Sequence, residues 1–98
     1  MAQVNLRSDP KLYSNTERRM FDLLRSMSKR GKFVPSNEII RKWYEGASEE
    51  PINSQVIVRT TIHNLSRKID RYEHGRIKID RTPRAGQRPI EYRVSFHV

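Results

Sequence analysis

Apolar residues along the chain first recur at helical spacing and then switch to strict alternation. Met20, Phe21, Leu23, Leu24 and Met27 form one helical face. Just before them, Ser14-Asn15-Thr16-Glu17 has the form of a capping box, with Ser14 as N-cap and Glu17 reaching back. Gly31, between Arg30 and Lys32, is read as the stop of this first helix. Phe33-Val34 suits a short extended piece, because Pro35 biases Val34 away from helix. A second helix is expected from about Glu38 to Tyr44, capped by Ser36 or Asn37, with Ile39, Ile40 and Trp43 inward. Gly46 ends it, and residues 46–52 read as a loop.

Val58, Ile62, Leu65 and Ile69 step by four, three and four, which predicts a third helix capped by Asn53 or Ser54 and running to about Tyr72. Val56 and Ile57 either extend it or lie in a lead-in turn. After His74-Gly75 the period becomes two. Ile77 and Ile79 alternate with Lys78 and Asp80, and Ile90, Tyr92, Val94 and Phe96 alternate with Glu91, Arg93 and Ser95. The turn-rich stretch between them completes a hairpin signal with a long loop. This order gives an α+β fold of the winged helix-turn-helix kind, three helices followed by a β-hairpin wing. It occupies residues 13–98, led by residues 1–12 as a flexible arm or short leading strand.

Charge turns this fold toward a partner. The 98 residues carry 20 Lys and Arg against 11 Asp and Glu, for a net charge of +9. Residues 1–50 contribute ten basic and seven acidic groups (+3), and residues 51–98 ten and four (+6). A small domain this basic suits a polyanion, although a solvated basic surface would show the same balance. The predicted third helix carries Arg59, Thr60, His63, Asn64, Arg67, Lys68 and Arg71 on the face opposite its apolar stripe. The major groove admits one helix, and there Arg can pair with guanine, Asn with adenine, and Thr can meet a thymine methyl. In the hairpin loop, Arg81, Arg84, Gln87 and Arg88 sit among Pro83, Gly86 and Pro89. Short Arg segments held by Gly and Pro suit a narrow minor groove, or simple phosphate contact, with equal weight. The expected partner is therefore double-stranded DNA.

Specific residues strengthen this reading. Residues 13–24, Tyr13-Ser14-Asn15-Thr16-Glu17 through Leu23-Leu24, resemble the first-helix signature of OmpR/PhoB-type winged-helix effector domains. Phe33-Val34-Pro35-Ser36-Asn37-Glu38-Ile39-Ile40 is similar to their short turn and second helix. Arg59-Thr60 with Leu65-Ser66-Arg67 resembles their recognition helix, and Ile90-Glu91-Tyr92-Arg93-Val94 their closing wing strand. The resemblance implies a recognition helix near 54–71, a wing near 76–96, and a stand-alone regulator of transcription without a receiver domain. Two features depart from that family. The stretch between Trp43 and Arg59 is longer than usual, and residues 1–12 leave little room for the family's amino-terminal sheet. Gly86-Gln87-Arg88-Pro89 is loosely like an AT-hook core.

Other chemistry finds little support. With no cysteine, disulfides and cysteine-based zinc sites are excluded, which fits a reducing compartment. His63, His74 and His97 lack the spacing of a metal motif, and no Gly-rich phosphate loop is present, so neither a metal, a cofactor nor an enzyme is expected. Asp70 and Glu73, near Arg67, Lys68 and Arg71, read as members of surface ion pairs. Trp43 reads as core, with base stacking as the lesser reading. No stretch approaches the ~20 apolar residues of a membrane span, nor does the start resemble a signal peptide, so the expected place is the cytoplasm, at the nucleoid. The competing function is a winged-helix protein–protein interaction module. Its contact would be Glu45, Glu49 and Glu50, meeting RNA polymerase, another regulator or a like subunit. A homodimer would use residues 1–12 or the 46–53 loop. An RNA binder shares the charge but lacks an aromatic stacking platform.

Overall fold

The first helix, α1 (Asn15–Met27), begins where its capping box places it. In this computed structural model, which describes residues 5–82 and 90–97, Glu17 N donates to Ser14 Oγ at 3.1 Å, and Ser14 N donates to Glu17 Oε1 at 2.8 Å. Two otherwise unpaired N–H groups are thereby satisfied. Ser14→Ala removes one of these acceptors and is expected to cost about 1 kcal/mol in a urea melt. Met20, Phe21 and Leu24 are buried, with Leu23 and Met27 packed against them. Ser28 closes the helix with its N–H on Leu24 O at 2.9 Å, and its hydroxyl accepts from Val94 N at 3.2 Å. One small side chain thus ties the end of α1 to the sheet. A single 3-10 turn (Lys29–Gly31) follows, and the left-handed residues Arg30 (φ 62°) and Gly31 (φ 73°) reverse the chain.

Strand β1 is only Val34–Pro35, and helix α2 (Ser36–Trp43) starts directly after it. The expected caps, Ser36 and Asn37, are instead the first two helical residues, and Pro35 is the N-cap with no side-chain cap bond. The sheet causes the earlier start. Pro35 is held extended by pairing with Glu91, and Ser36 N donates to Ile90 O at 2.9 Å, so an orphan donor is met by a strand rather than by a cap. Ile39, Ile40 and Trp43 are buried, as their spacing requires.

Helix α3 (Ser54–Tyr72) buries Ser54, Val58, Ile62, Leu65 and Ile69 and packs on α1, α2 and β2. Val56 and Ile57 lie inside the helix but off this stripe. His74 (φ 53°) and Gly75 (φ 78°) then turn the chain into β2 (Ile77–Arg81), which pairs antiparallel with β3 (Glu91–Phe96). The sheet order is β1-β3-β2, all antiparallel. Ile77, Tyr92 and Val94 face the core, and Asp80 opposite Arg93 forms a cross-strand ion pair at 2.9 Å. The described residues therefore form an α+β fold with three α-helices and a three-stranded antiparallel sheet. No helix among them is long and apolar enough to cross a membrane.

Residues 5–12 contain no strand but are fastened to the body. Leu6 and Tyr13 belong to the core. Arg18 donates to the carbonyls of Arg7 (2.8 Å) and Asp9 (2.9 Å). The main anchor is Glu73, just beyond α3. Expected in a surface ion pair, it is only 1% exposed. Its carboxylate accepts from Tyr13 Oη at 2.7 Å, from Arg7 N at 3.2 Å and from Arg76 Nη2 at 2.6 Å. A carboxylate satisfied three ways can remain buried where an unpaired one could not.

Candidate nucleic-acid interface

At about 100° per residue, the positions opposite the buried stripe of α3 are Val56, Thr60, His63 and Arg67, flanked by Arg59 and Asp70 on one side and by Asn64 and Arg71 on the other. All eight are exposed. Six of them were singled out from sequence as contact residues, and the helix brings them onto one continuous surface. Val56 was not among them. It is 63% exposed, and the sequence pattern left it between two readings.

Two grooves run along this surface. The first, of about 410 Å³, lies between α3 and the sheet. Arg59, Thr60, His63 and Ser66 line it from the helix and Arg81 from the end of β2, over apolar flooring from Ile79 and Tyr92. The second, of about 320 Å³, lies on the α1 side and is lined by Asn64, Arg67, Lys68 and Arg71, with Glu17 and Tyr72. The sequence places Arg59 and Arg81 some twenty positions apart; the turn after α3 and the strand β2 put them on one groove.

Lys68 differs from its neighbours. Its Nζ donates to Glu17 Oε1 at 2.8 Å, linking α3 to the capping box of α1, although the side chain stays 40% exposed. Burial pushes the Glu17 carboxyl up, but the hydrogen bonds from Lys68 and Ser14 outweigh it and hold the group below its ordinary value. Arg71 lies over the Tyr72 ring at 5.8 Å. By contrast, among the described residues no ion pair or hydrogen bond engages the side chains of Arg59, Arg67 or Arg81. Several cations elsewhere are held. Arg19 stacks on Trp43 at 4.3 Å, Arg93 pairs with Asp80, and Arg76 with Glu73. Among the described residues, the guanidiniums of Arg59, Arg67 and Arg81 thus keep their donors uncommitted on this face.

Trp43 is a core residue, 9% exposed and covered by Arg19, which removes the base-stacking reading. His97 shares a 3.1 Å contact with Ser95, and His74 sits in the left-handed turn. Among the described residues no group of three potential ligands could hold a metal ion. Three expected contact residues of the hairpin loop, Arg84, Gln87 and Arg88, lie outside the described residues. No protein-family model, no curated protein and no solved structure matches this chain.

Proposed function

We propose that this protein is a double-stranded DNA-binding regulator of transcription with a winged-helix arrangement of the OmpR/PhoB-type kind. In this reading α3 lies in the major groove, and the β2–β3 hairpin is the wing, reaching the minor groove or the phosphates beside it. The observation that carries the proposal is the exposed outer face of α3, where guanidiniums without ion-pair partners among the described residues alternate with amide, hydroxyl and imidazole groups between two cation-lined grooves. A helix in a groove about 12 Å wide meets a phosphate strand on each side and base edges ahead. Arg59 and Arg81 suit one phosphate strand and Arg71, beside Asn64, the other, with Thr60, His63 and Arg67 on the row between them. Lys68, held by Glu17, has a supporting role, fixing the tilt of α3 on α1.

Fluorescence anisotropy with 20-base-pair duplexes, one AT-rich and one GC-rich, tests this over a salt series. Six phosphate contacts would give a log–log slope of about −5. Equal slopes and affinities on both duplexes would mean phosphate contact alone, and a preference for AT-rich DNA would put the wing in the minor groove. Absence of binding at low salt would overturn the DNA reading.

A further inference from the structure

We infer that Val56 reads a thymine 5-methyl group, which makes it a specificity determinant of the interface. The inference deepens the DNA reading and rests on it. Val56 is the third residue of α3 and is 63% exposed, on a face that otherwise carries polar and charged side chains. Ile52, four positions earlier in the turn that leads into the helix, is wholly exposed. Burial requires neither side chain to be apolar. The core stripe passes through Ser54 and Val58, and Val56 stands roughly opposite it.

Position along the helix favours a base edge as the occupant. Recognition helices meet bases chiefly through their N-terminal residues, and Val56 leads the row that continues through Thr60, His63 and Arg67. An apolar side chain at that end has one apolar target in the major groove, the methyl group of thymine. Arg59, without a partner among the described residues and one helical turn on, supplies the charge that draws the adjoining phosphate backbone to the same spot. A cytosine or a deoxyuridine presents no methyl there and would leave Val56 against water.

The test uses the whole chain. A preferred duplex is selected from a random pool, and each thymine in it is replaced in turn by deoxyuridine, which removes the methyl and leaves the pairing intact. Wild-type protein should lose about fourfold in affinity at one or two positions, the size of burying a single methyl. Val56→Ala should bind the thymine duplex about fourfold more weakly and be indifferent to deoxyuridine there, while Val56→Ile should retain the discrimination. Alanine at an exposed helical position keeps the helix, so the comparison is between folded proteins. Selective binding in which every deoxyuridine duplex holds wild-type protein equally well would overturn the assignment. A methyl effect undiminished in Val56→Ala would overturn it as well. Failure of wild-type protein to bind any duplex would remove the DNA reading itself, a result distinct from either.

Discussion

Glu73→Ala is expected to destabilise the fold by about 3 kcal/mol, a drop of roughly 15 °C in melting temperature for a domain of this size. The substitution removes the acceptor of the buried Tyr13 hydroxyl and of the Arg7 N–H, and it takes the partner from Arg76. An unsatisfied buried hydroxyl costs about 1–3 kcal/mol. Arg76 adds less, because its side chain is 41% exposed and water can take the place of Glu73. Glu73→Gln keeps an acceptor for Tyr13 and should cost about half as much. The same network sets the pH response. Burial raises the Glu73 carboxyl, but the bonds from Tyr13, Arg76 and the Arg7 N–H outweigh it, and the group titrates below its ordinary 4.5. A depressed carboxylate stabilises fully above its unfolded value, and this contribution is lost as pH falls through the folded value. Glu17 and Asp80 are shifted the same way, so wild-type stability should decline on acidification below about pH 4.5. Glu73→Ala should flatten that decline. At the other end, burial and the bond to Glu73 raise the Tyr13 hydroxyl above its ordinary 10.0, so stability should fall as pH climbs past that value. Urea melts across the pH range check both limbs. A Glu73→Ala protein that melts within two or three degrees of wild type at pH 7 would show that this network anchors nothing.

Local signals were legible in the amino-acid sequence because their partners lie within a turn or two. Ser14 and Glu17 are three residues apart, and both capping bonds form. The four–three–four spacing of Val58, Ile62, Leu65 and Ile69 names the buried face of α3, and through it the exposed one. Alternation picks out Ile77, Tyr92 and Val94 as inward residues, whereas Phe96, in the same alternation, is 40% exposed at the end of β3. The interactions that were not legible join distant positions. Glu73 is 60 residues from Tyr13 and 66 from Arg7, and no periodicity reports that a carboxylate will find three donors. Next to Arg67, Lys68 and Arg71 the surface reading was the natural one, and tertiary packing overrode it. Lys68 lay on the polar side of α3 by spacing, yet its closest partner is Glu17, 51 residues away. The cap of α2 failed for a related reason. Ser36 is a good N-cap residue, but two residues of β1 bring its N–H to Ile90, and the helix begins there instead. Within the candidate interface, the polar residues of α3 could be named in advance, whereas its two grooves needed the sheet and α1 in place.

The paired substitution Arg59→Ala/Arg67→Ala should weaken duplex binding by a factor of 100 or more, about 3 kcal/mol, since each direct contact of this kind contributes about 1–3 kcal/mol. The two residues lie eight positions apart, about 12 Å along the helix, and they line different grooves. Their effects should therefore add. Each single variant also identifies the kind of contact it removes. An Arg on a phosphate, when lost, weakens all sequences alike and reduces the salt slope by about one. An Arg bidentate to guanine, when lost, relaxes preference at one base pair and leaves the slope nearly unchanged. General loss of positive charge has to be separated from loss of contacts, and Lys29→Ala/Lys32→Ala does this. It also removes two charges, at exposed positions around the 3-10 turn that line neither groove. Long-range attraction is screened beyond about 10 Å at 0.1 M salt, so this control should lose only a few-fold. Equal losses in the two pairs would mean that the protein attracts DNA by net charge and does not dock α3. A selective loss in Arg59→Ala/Arg67→Ala, with both proteins melting like wild type, would place the contacts on the outer face of that helix, because neither guanidinium has a partner among the described residues whose loss could unsettle the fold.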